Sequence, residues 1–239
     1  MIRAVLNVLA FIVVTVIMAL IAIVSGLFDR SGDTVLWLAR RWSWMVLTSA
    51  GVKVVVKQAA PLDPKRSYVF MCNHLSAADI WSLYVAIPVP VRMIAKKQLG
   101  KLPLVGWAMR VGRFIFIDRQ NGSSARRSIE EAVRRIHEGT SVLIFPEGTR
   151  SRDGKLGPFK KGGFHLAANS GAEIVPVGIR GSREVIPRGS ALIRRGVVTV
   201  EIGAPVSTEG IPESERPALQ EQIREIILRL NGEQTASAA

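Results

Sequence analysis

The chain has 239 residues, enough for one catalytic domain with an appendage, and its 48% hydrophobic and 21% charged residues exclude an intrinsically disordered protein. A single cysteine, Cys72, excludes an intramolecular disulfide framework and every metal site that needs several thiolates. The formal net charge of +13 favours an anionic partner, whether nucleic acid, anionic lipid or a phosphorylated substrate.

The amino-terminal segment from Ala4 to Phe28 contains no charged side chain. As a helix it would extend about 37 Å, which exceeds the roughly 30 Å thickness of the hydrocarbon layer of a membrane. A secretory signal peptide is the alternative, but its apolar region is shorter, about 7–15 residues. The segment therefore predicts a membrane-embedded helix, and the sequence leaves open whether it spans the bilayer or enters one leaflet.

The next segment, Asp33 to Val54, has the pattern of an amphipathic helix. Its Trp37, Trp42 and Trp44 suit the headgroup depth of a membrane, although the same pattern also fits a helix that faces a protein core. We predict that residues 1–50 form a membrane anchor.

The distribution of basic residues predicts the side of the membrane on which the remaining chain lies. Basic residues after the apolar segment outnumber those before it, so the positive-inside rule predicts the cytoplasmic face of the inner membrane. Positive charge beside an anchor is most simply read as attraction to anionic membrane lipid, which argues against a nucleic-acid partner. The residues after the segment are Arg30, Arg40, Arg41, Lys53 and Lys57.

Residues 51–231 alternate short apolar runs with helical patterns, and residues 232–239 predict a disordered tail. This alternation predicts an α/β fold, with a mixed, mostly parallel central sheet flanked by helices. The predicted helices are Asp79–Val85, Ser123–Glu138, Lys161–Ser170 and Pro217–Leu230. The predicted strands are Val52–Val56, Tyr68–Cys72, Arg92–Ala95, Arg113–Ile117, Val142–Phe145, Ile174–Ile179 and Val197–Ile202.

One histidine, His74, directly follows a predicted strand, at the edge where open α/β sheets place their ligands. If the chain turns at Leu75 and a helix then begins, the His74 ring can fold back to Asp79. A histidine held by a carboxylate is a general base that can take a proton from a hydroxyl. The spacing Ser76-x-x-Asp79 equally fits a helix cap, so the residues alone leave both roles for Asp79 open.

A second polar cluster, Phe145-Pro-Glu-Gly-Thr-Arg-Ser-Arg152, also follows an apolar strand. Gly148 lets backbone approach a ligand, and Thr149 and Arg150 offer donors that suit a phosphate, although an ordinary strand-to-loop turn has the same composition. Arg119, at the end of the Gly112–Arg119 strand, either reaches a phosphate or pairs with Asp118. Neither a P-loop nor a dinucleotide fingerprint is present, so nucleotide hydrolysis and nicotinamide chemistry have no support.

Four clusters in order after an apolar anchor resemble the motifs of the glycerolipid acyltransferase family, and among its members the bacterial 1-acyl-sn-glycerol-3-phosphate acyltransferases. The clusters are Asn73-His74-x4-Asp79, the strand Gly112–Arg119, the run Phe145–Ser151 and Ile174-Val-Pro-Val-Gly-Ile179. The resemblance implies transfer of a fatty acyl group from acyl-CoA or acyl-carrier protein to the 2-hydroxyl of lysophosphatidic acid, giving phosphatidic acid.

The resemblance also implies roles for individual residues. His74 would be the general base and Asp79 would orient it. The glycerol phosphate would be held by Arg119, Gly148, Thr149 and Arg150, with Glu147 positioning the loop or the glycerol and Lys97 contacting phosphate or donor. No metal and no bound cofactor is expected, because the thioester co-substrate is already activated.

Three alternatives remain from the sequence. The acceptor is another lysolipid, such as a lyso-ornithine lipid, or the chain is a non-catalytic, membrane-tethered protein that binds anionic ligands. Within the enzyme reading, Cys72 lies two residues from His74 and could carry the acyl group as a thioester, although strand alternation would bury its thiol.

Overall fold

The computed structural model describes residues 2–118, 122–190 and 192–233, which form a seven-stranded sheet with helices on both faces. All seven predicted strands are confirmed, and some of their ends differ by one or two residues. The strands are β1 (Val52–Gln58), β2 (Tyr68–Cys72), β3 (Val91–Lys96), β4 (Ile115–Ile117), β5 (Ser141–Ile144), β6 (Glu173–Arg180) and β7 (Gly196–Ile202).

The strand order is β1-β7-β6-β2-β5-β3-β4. Among the strand pairs of the described residues, β6 and β7 alone are antiparallel, so the predicted mixed, mostly parallel sheet is confirmed. Every residue of the central strand β2 is buried, as expected for a parallel strand covered on both faces. Because β6, β2, β5 and β3 run in the same direction, the segments that follow them meet at one edge of the sheet.

The helices are α1 (Ile2–Ser25), α2 (Asp33–Ser49), α3 (Ala78–Ala86), α4 (Val105–Val111), α5 (Gly122–His137), α6 (Lys161–Ser170), α7 (Ser182–Val185) and α8 (Arg216–Leu230), with short 3-10 turns at Leu99–Lys101 and Glu213–Glu215. The four helices predicted within the sheet domain are confirmed. The helix predicted for Asp33–Val54 ends at Ser49, because Gly51 adopts a positive φ of 72° and β1 begins at Val52.

Two apolar layers lie on opposite faces of the sheet, as the alternation of side chains along β2 requires. Tyr68, Phe70 and Cys72 face the layer that contains α1 to α4 and α7, whereas Val69 and Met71 face the layer of α5, α6 and α8. The amino-terminal helices therefore pack against the same face of the sheet as α3. Cys72, the last residue of β2, also lies on this face.

The amino-terminal helices also expose a continuous set of large apolar side chains, which we call the apolar face. It comprises Val8, Ile12, Val13, Val16, Ile17, Leu20, Ile21, Val24, Leu27 and Phe28 of α1 and the turn after it, and Trp37 and Trp44 of α2. Leu102, Val105 and Trp107, in and just before α4, are exposed as well. Within the described ranges, no helix combines the length and the apolar character that crossing a membrane requires.

Candidate active site

The chain turns directly after β2 and brings the His74 ring to the first turn of α3. Its Nδ1 lies 2.7 Å from Oδ2 of Asp79, and the Asp79 carboxylate is fully buried. An ionised carboxylate only accepts hydrogen bonds, so this contact favours the proton on Nδ1, and in the neutral ring of that tautomer Nε2 offers its lone pair. This is the arrangement of a general base that a carboxylate orients.

Asp79 also holds the turn that carries the histidine. Its Oδ2 accepts hydrogen bonds from the backbone N–H groups of Leu75 and Ser76, at 2.7 and 2.8 Å. The Ser76 contact is half of the capping pattern that the sequence suggested. The two readings of Asp79 are therefore compatible, because one oxygen both holds the turn that precedes α3 and orients the His74 ring.

The imidazole of His74 stacks on Phe145, which follows β5. The two ring centroids are 3.9 Å apart and the rings are inclined by 15°. Together with the Asp79 hydrogen bond, this contact restricts rotation of the His74 ring. The side chain is 15% exposed, so the ring remains accessible from one side.

Glu147 joins the His74 turn to the loop after β5. It is buried, and its Oε1 accepts a hydrogen bond from the backbone N–H of His74 at 2.8 Å while its Oε2 accepts one from Gly157 at 3.0 Å. A third bond runs from the N–H of Ser151 to the carbonyl of His74 at 2.7 Å. Burial raises the pKa of Glu147, and the N–H groups of Gly157 and His74 oppose that rise.

Asn73 ties the same turn to β6, a role that the sequence did not reveal. Its fully buried amide donates to the carbonyl of Ile179 at 2.9 Å and accepts from the N–H of Ile179 at 2.8 Å. The Ser76 hydroxyl adds a bond to the carbonyl of Ile186 at 2.9 Å. The His74 turn is thus held from β5 on one side and from β6 on the other.

A cavity of about 370 Å³ opens beside His74. Its polar lining consists of His74, Gly148, Thr149, Arg150, Lys96 and Arg188, and its apolar lining includes Phe145, Ala77, Ile80, Met93 and Leu99. The structure therefore brings together the predicted base and three of the residues predicted to bind phosphate. Gly148 has φ = 74°, a left-handed backbone conformation that favours glycine, and this explains why a glycine occupies this position of the turn.

A second, almost entirely apolar cavity of about 310 Å³ shares four wall residues with the first, namely Ala77, Ile80, Met93 and Leu99. Side chains from α1, α2, α3 and α4 form most of its lining. An apolar volume therefore extends from the His74 cavity toward the amino-terminal helices.

The described lining of the His74 cavity contains neither Lys97 nor Arg119, two of the predicted site residues. Lys97 binds Oδ2 of Asp118 through its Nζ at 3.2 Å, and its neighbour Lys96 is the lysine that lines the His74 cavity. Arg119 lies outside the described residues, as do positions 234–239 of the predicted tail. Their roles stay predictions.

Arg188 and Lys96 line the cavity although neither was among the predicted site residues, which included Lys97 in place of its neighbour Lys96. Lys96 is the last residue of β3, and successive residues of a strand point to opposite faces, so register decides which of two adjacent lysines faces the cavity. Arg188 lies beyond the end of the Ile174–Ile179 motif, and only the tertiary structure shows that it lines the cavity.

The thiol of Cys72 is fully buried. Burial, followed by the charges of Asp79 and Glu147, raises its pKa well above the usual value, which keeps it protonated. A nucleophilic thiolate is therefore disfavoured at this position, and the geometry gives the acyl-cysteine alternative no support.

Comparisons with known proteins agree with this geometry. Residues 53–180 match the profile of the Acyltransferase family. A human 1-acyl-sn-glycerol-3-phosphate acyltransferase alpha is 31% identical over 179 residues, which cover 74% of this chain and 63% of the relative. A chloroplastic 1-acyl-sn-glycerol-3-phosphate acyltransferase of Brassica napus is 36% identical over 139 residues, covering 58% of this chain and 40% of the relative.

A solved structure is similar over the whole chain. The crystal structure of the 1-acyl-sn-glycerophosphate (LPA) acyltransferase PlsC of Thermotoga maritima has a TM-score of 0.81 and 28% identity, and the match covers 100% of this chain and 98% of that one. By contrast, the matched segment spans about half the length of the curated plant relatives, 40% of the Brassica protein and 52% of one from Limnanthes douglasii.

Proposed function

The chain belongs to the acyltransferase family, and on that premise we propose that it moves a fatty acyl group from a thioester donor to the 2-hydroxyl of 1-acyl-sn-glycerol 3-phosphate, giving phosphatidic acid. The observation that carries the proposal is the bonded His74–Asp79 pair beside a cavity that also holds Arg150 and Lys96. A histidine bonded to a carboxylate, two cationic side chains and an apolar volume meet there, and this supports a reaction that needs a base, a phosphate-binding group and room for an acyl chain.

In the proposed reaction, Nε2 of His74 takes the proton of the acceptor hydroxyl as its oxygen attacks the thioester carbonyl carbon. The carbon–sulfur bond of the tetrahedral intermediate then breaks, and the imidazolium returns the proton to the departing thiolate. Asp79 keeps the tautomer and stabilises the imidazolium. General-base assistance of this kind contributes about 10²–10⁴-fold to the rate. The proposal calls on no metal and no cofactor, since the thioester supplies the activated acyl group.

The phosphate of the acceptor would bind to Arg150, Thr149 and the backbone around Gly148. Arginine suits a phosphate because its planar guanidinium donates two parallel hydrogen bonds. The position of Glu147 between His74 and Gly157 supports a role in holding this loop against the base rather than a contact with the glycerol.

The apolar cavity would take a fatty acyl chain. Transfer of a chain from water to such a volume contributes roughly 0.8 kcal/mol per methylene group, so a long chain supplies much of the binding energy. The shared walls Ala77, Ile80, Met93 and Leu99 support a path from that cavity to His74.

The apolar face supports membrane association of the protein, which suits an acceptor that is itself a membrane lipid. We propose that residues 1–50 lie in one leaflet, with residues 51–231 forming the catalytic domain on the cytoplasmic face of the inner membrane. Tryptophans at positions 37 and 44 suit the headgroup region.

The test uses purified native protein in detergent micelles. Free thiol release and acylated product are followed with a long-chain acyl-CoA or acyl-carrier protein as donor. The acceptors are lysophosphatidic acid and a lyso-ornithine lipid. We expect thiol release that depends on lysophosphatidic acid. Thiol release only with the lyso-ornithine lipid would show that this lipid is the acceptor instead. No thiol release with any pair of donor and acceptor would favour the non-catalytic binding protein.

A further inference from the structure

Arg188 lies in the wall of the His74 cavity although it belongs to none of the sequence motifs. It follows α7, in the segment that connects β6 to β7, and its side chain is exposed. β6 and β5 flank β2 on opposite sides. Arg188 and the Arg150 loop therefore approach the His74 turn from two different strands of the sheet.

The segment that carries Arg188 is held against both catalytic loops. The carbonyl of Ile186 accepts the Ser76 hydroxyl at 2.9 Å, and Nη2 of Arg183 donates to the carbonyl of Arg152 at 2.9 Å. Nη1 of Arg188 itself reaches the carbonyl of Ser151 at 3.5 Å, which places its guanidinium beside the residue that follows Arg150. The two arginines thus lie at the same part of the cavity.

The charges around the cavity are of one sign. Lys96, Arg150 and Arg188 contribute positive charge, and the described residues of the lining include no aspartate or glutamate. Among the described carboxylates, none forms an ion pair with Arg150 or Arg188. Exposed arginines that converge without a carboxylate partner leave their hydrogen-bond donors available to an anion.

We propose that Arg188 is a phosphate-binding residue, and that it and Arg150 contact one phosphate group of a substrate from two sides. This inference rests on the proposed function, which supplies two phosphate-bearing substrates. The same chemistry occurs in the phosphate monoester of a lysolipid acceptor and in the phosphates of the CoA donor. The guanidinium forks of the two residues fit such a group better than two ammonium groups would.

The experiment compares Arg188→Ala with native protein on two pairs of substrates, and in each pair the second member lacks phosphate; acyl-pantetheine also lacks the adenosine of CoA. The acceptor pair is lysophosphatidic acid and the 1-monoacylglycerol that lacks its phosphate. The donor pair is acyl-CoA and acyl-pantetheine. We expect kcat/KM to fall about tenfold or more with the phosphate-bearing member of one pair, mainly through KM, and to change little with its phosphate-free counterpart.

The substrate pair in which the loss of kcat/KM depends on phosphate identifies the substrate whose phosphate Arg188 binds. A loss confined to lysophosphatidic acid assigns Arg188 to the acceptor, and a loss confined to acyl-CoA assigns it to the donor. Equal losses with all substrates would indicate a structural role and overturn the proposal, as would no loss at all. Arg188→Lys should retain an intermediate activity, because it keeps the charge and loses the fork.

Arg195→Ala is the matched control, since it removes an exposed arginine from the same connecting segment but one that does not line the cavity. It should behave as the native protein does. Equilibrium binding of lysophosphatidic acid and of CoA, measured without turnover, separates this inference from the proposed reaction. Tenfold weaker binding of one ligand by Arg188→Ala supports the inference even if no acyl transfer occurs, and unchanged binding of both would refute it.

Discussion

The turn after β2 and the cationic part of the cavity lie side by side but are built in opposite ways. Asp79, Asn73 and Glu147 are buried, and each makes at least two hydrogen bonds that fix the turn around His74. Arg150 and Arg188 are exposed. The group that would move a proton is therefore held by buried hydrogen bonds, whereas the groups that would bind a substrate lie at the surface of the cavity.

This contrast has a physical reason. A base works only when its tautomer and direction are fixed before the substrate binds, and that order is stabilised by buried hydrogen bonds. Phosphate binding depends mainly on charge and on two guanidinium planes, which adapt to the ligand. Substitutions in the buried turn should lower kcat and often stability, whereas substitutions in the exposed part should raise KM.

The largest effect within this comparison is expected for Asp79→Asn. The amide oxygen can still accept from Leu75, Ser76 and His74, so the turn is preserved while the negative charge is lost. Without that charge the imidazolium is less stable, and we expect kcat to fall by about 10²-fold or more with KM little changed. Steady-state kinetics with saturating acceptor measure this.

The matched control is Asp63→Asn, at an exposed aspartate whose carboxylate accepts the N–H of Lys65 in a surface turn. It should leave kcat unchanged. Native turnover by a folded Asp79→Asn protein would show that the carboxylate only caps α3.

A smaller effect, on stability, is expected for Glu147→Gln. Glutamine offers one acceptor oxygen where the carboxylate serves both His74 and Gly157, so one buried N–H loses its partner. We expect a loss of about 1–3 kcal/mol in the free energy of unfolding, measured by urea denaturation. The exposed Glu209→Gln should change it by less than about 0.5 kcal/mol.

The effect of Glu147→Gln on the free energy of unfolding should also depend on pH. Burial raises the pKa of Glu147 in the folded state, so its contribution to stability is greatest below the ordinary value of 4.5 and declines as pH rises through the raised pKa. The difference in unfolding free energy between native protein and Glu147→Gln should therefore decrease from below pH 4.5 upward. A difference that grew with pH would contradict the assigned direction.

The smallest effect is expected for Cys72→Ala. The thiol is buried and its pKa is raised, so it takes no part in the proposed reaction. Activity should stay within about twofold of native, apart from any loss of folded protein due to the small cavity that alanine leaves. An acyl group found on Cys72 by mass spectrometry of a trapped intermediate would overturn this expectation.

Much of the fold could be predicted because short apolar runs typical of strands alternate with helix-periodic segments over most of residues 51–231. The short helices α4 and α7 escaped prediction, since seven and four residues are too few to show a period. The end of α2 was predicted too late, at Val54, although the helix ends at Ser49 and Gly51 adopts a positive φ before β1 begins.

The part of the site whose residues lie close together in the sequence could be predicted. His74 and Asp79 are five positions apart, and the turn between them brings them together as the strand-to-helix pattern indicated. The sequence left the role of Asp79 open, because capping a helix and orienting a base need the same geometry. The sequence pointed to the Lys96-Lys97 pair, but strand register decides that Lys96 lines the cavity. The place of Arg188 depends on contacts between distant segments, for which the sequence carries no local signal.

The most direct test of the account is the rate of acceptor-dependent thiol release by His74→Ala, measured beside the native protein with lysophosphatidic acid and acyl-CoA. Thermal melting and equilibrium binding of lysophosphatidic acid establish that the variant folds and binds. We predict a loss of about 10²–10⁴-fold in kcat with binding retained. A folded His74→Ala protein that releases thiol at the native rate would contradict the assignment of His74 as the base.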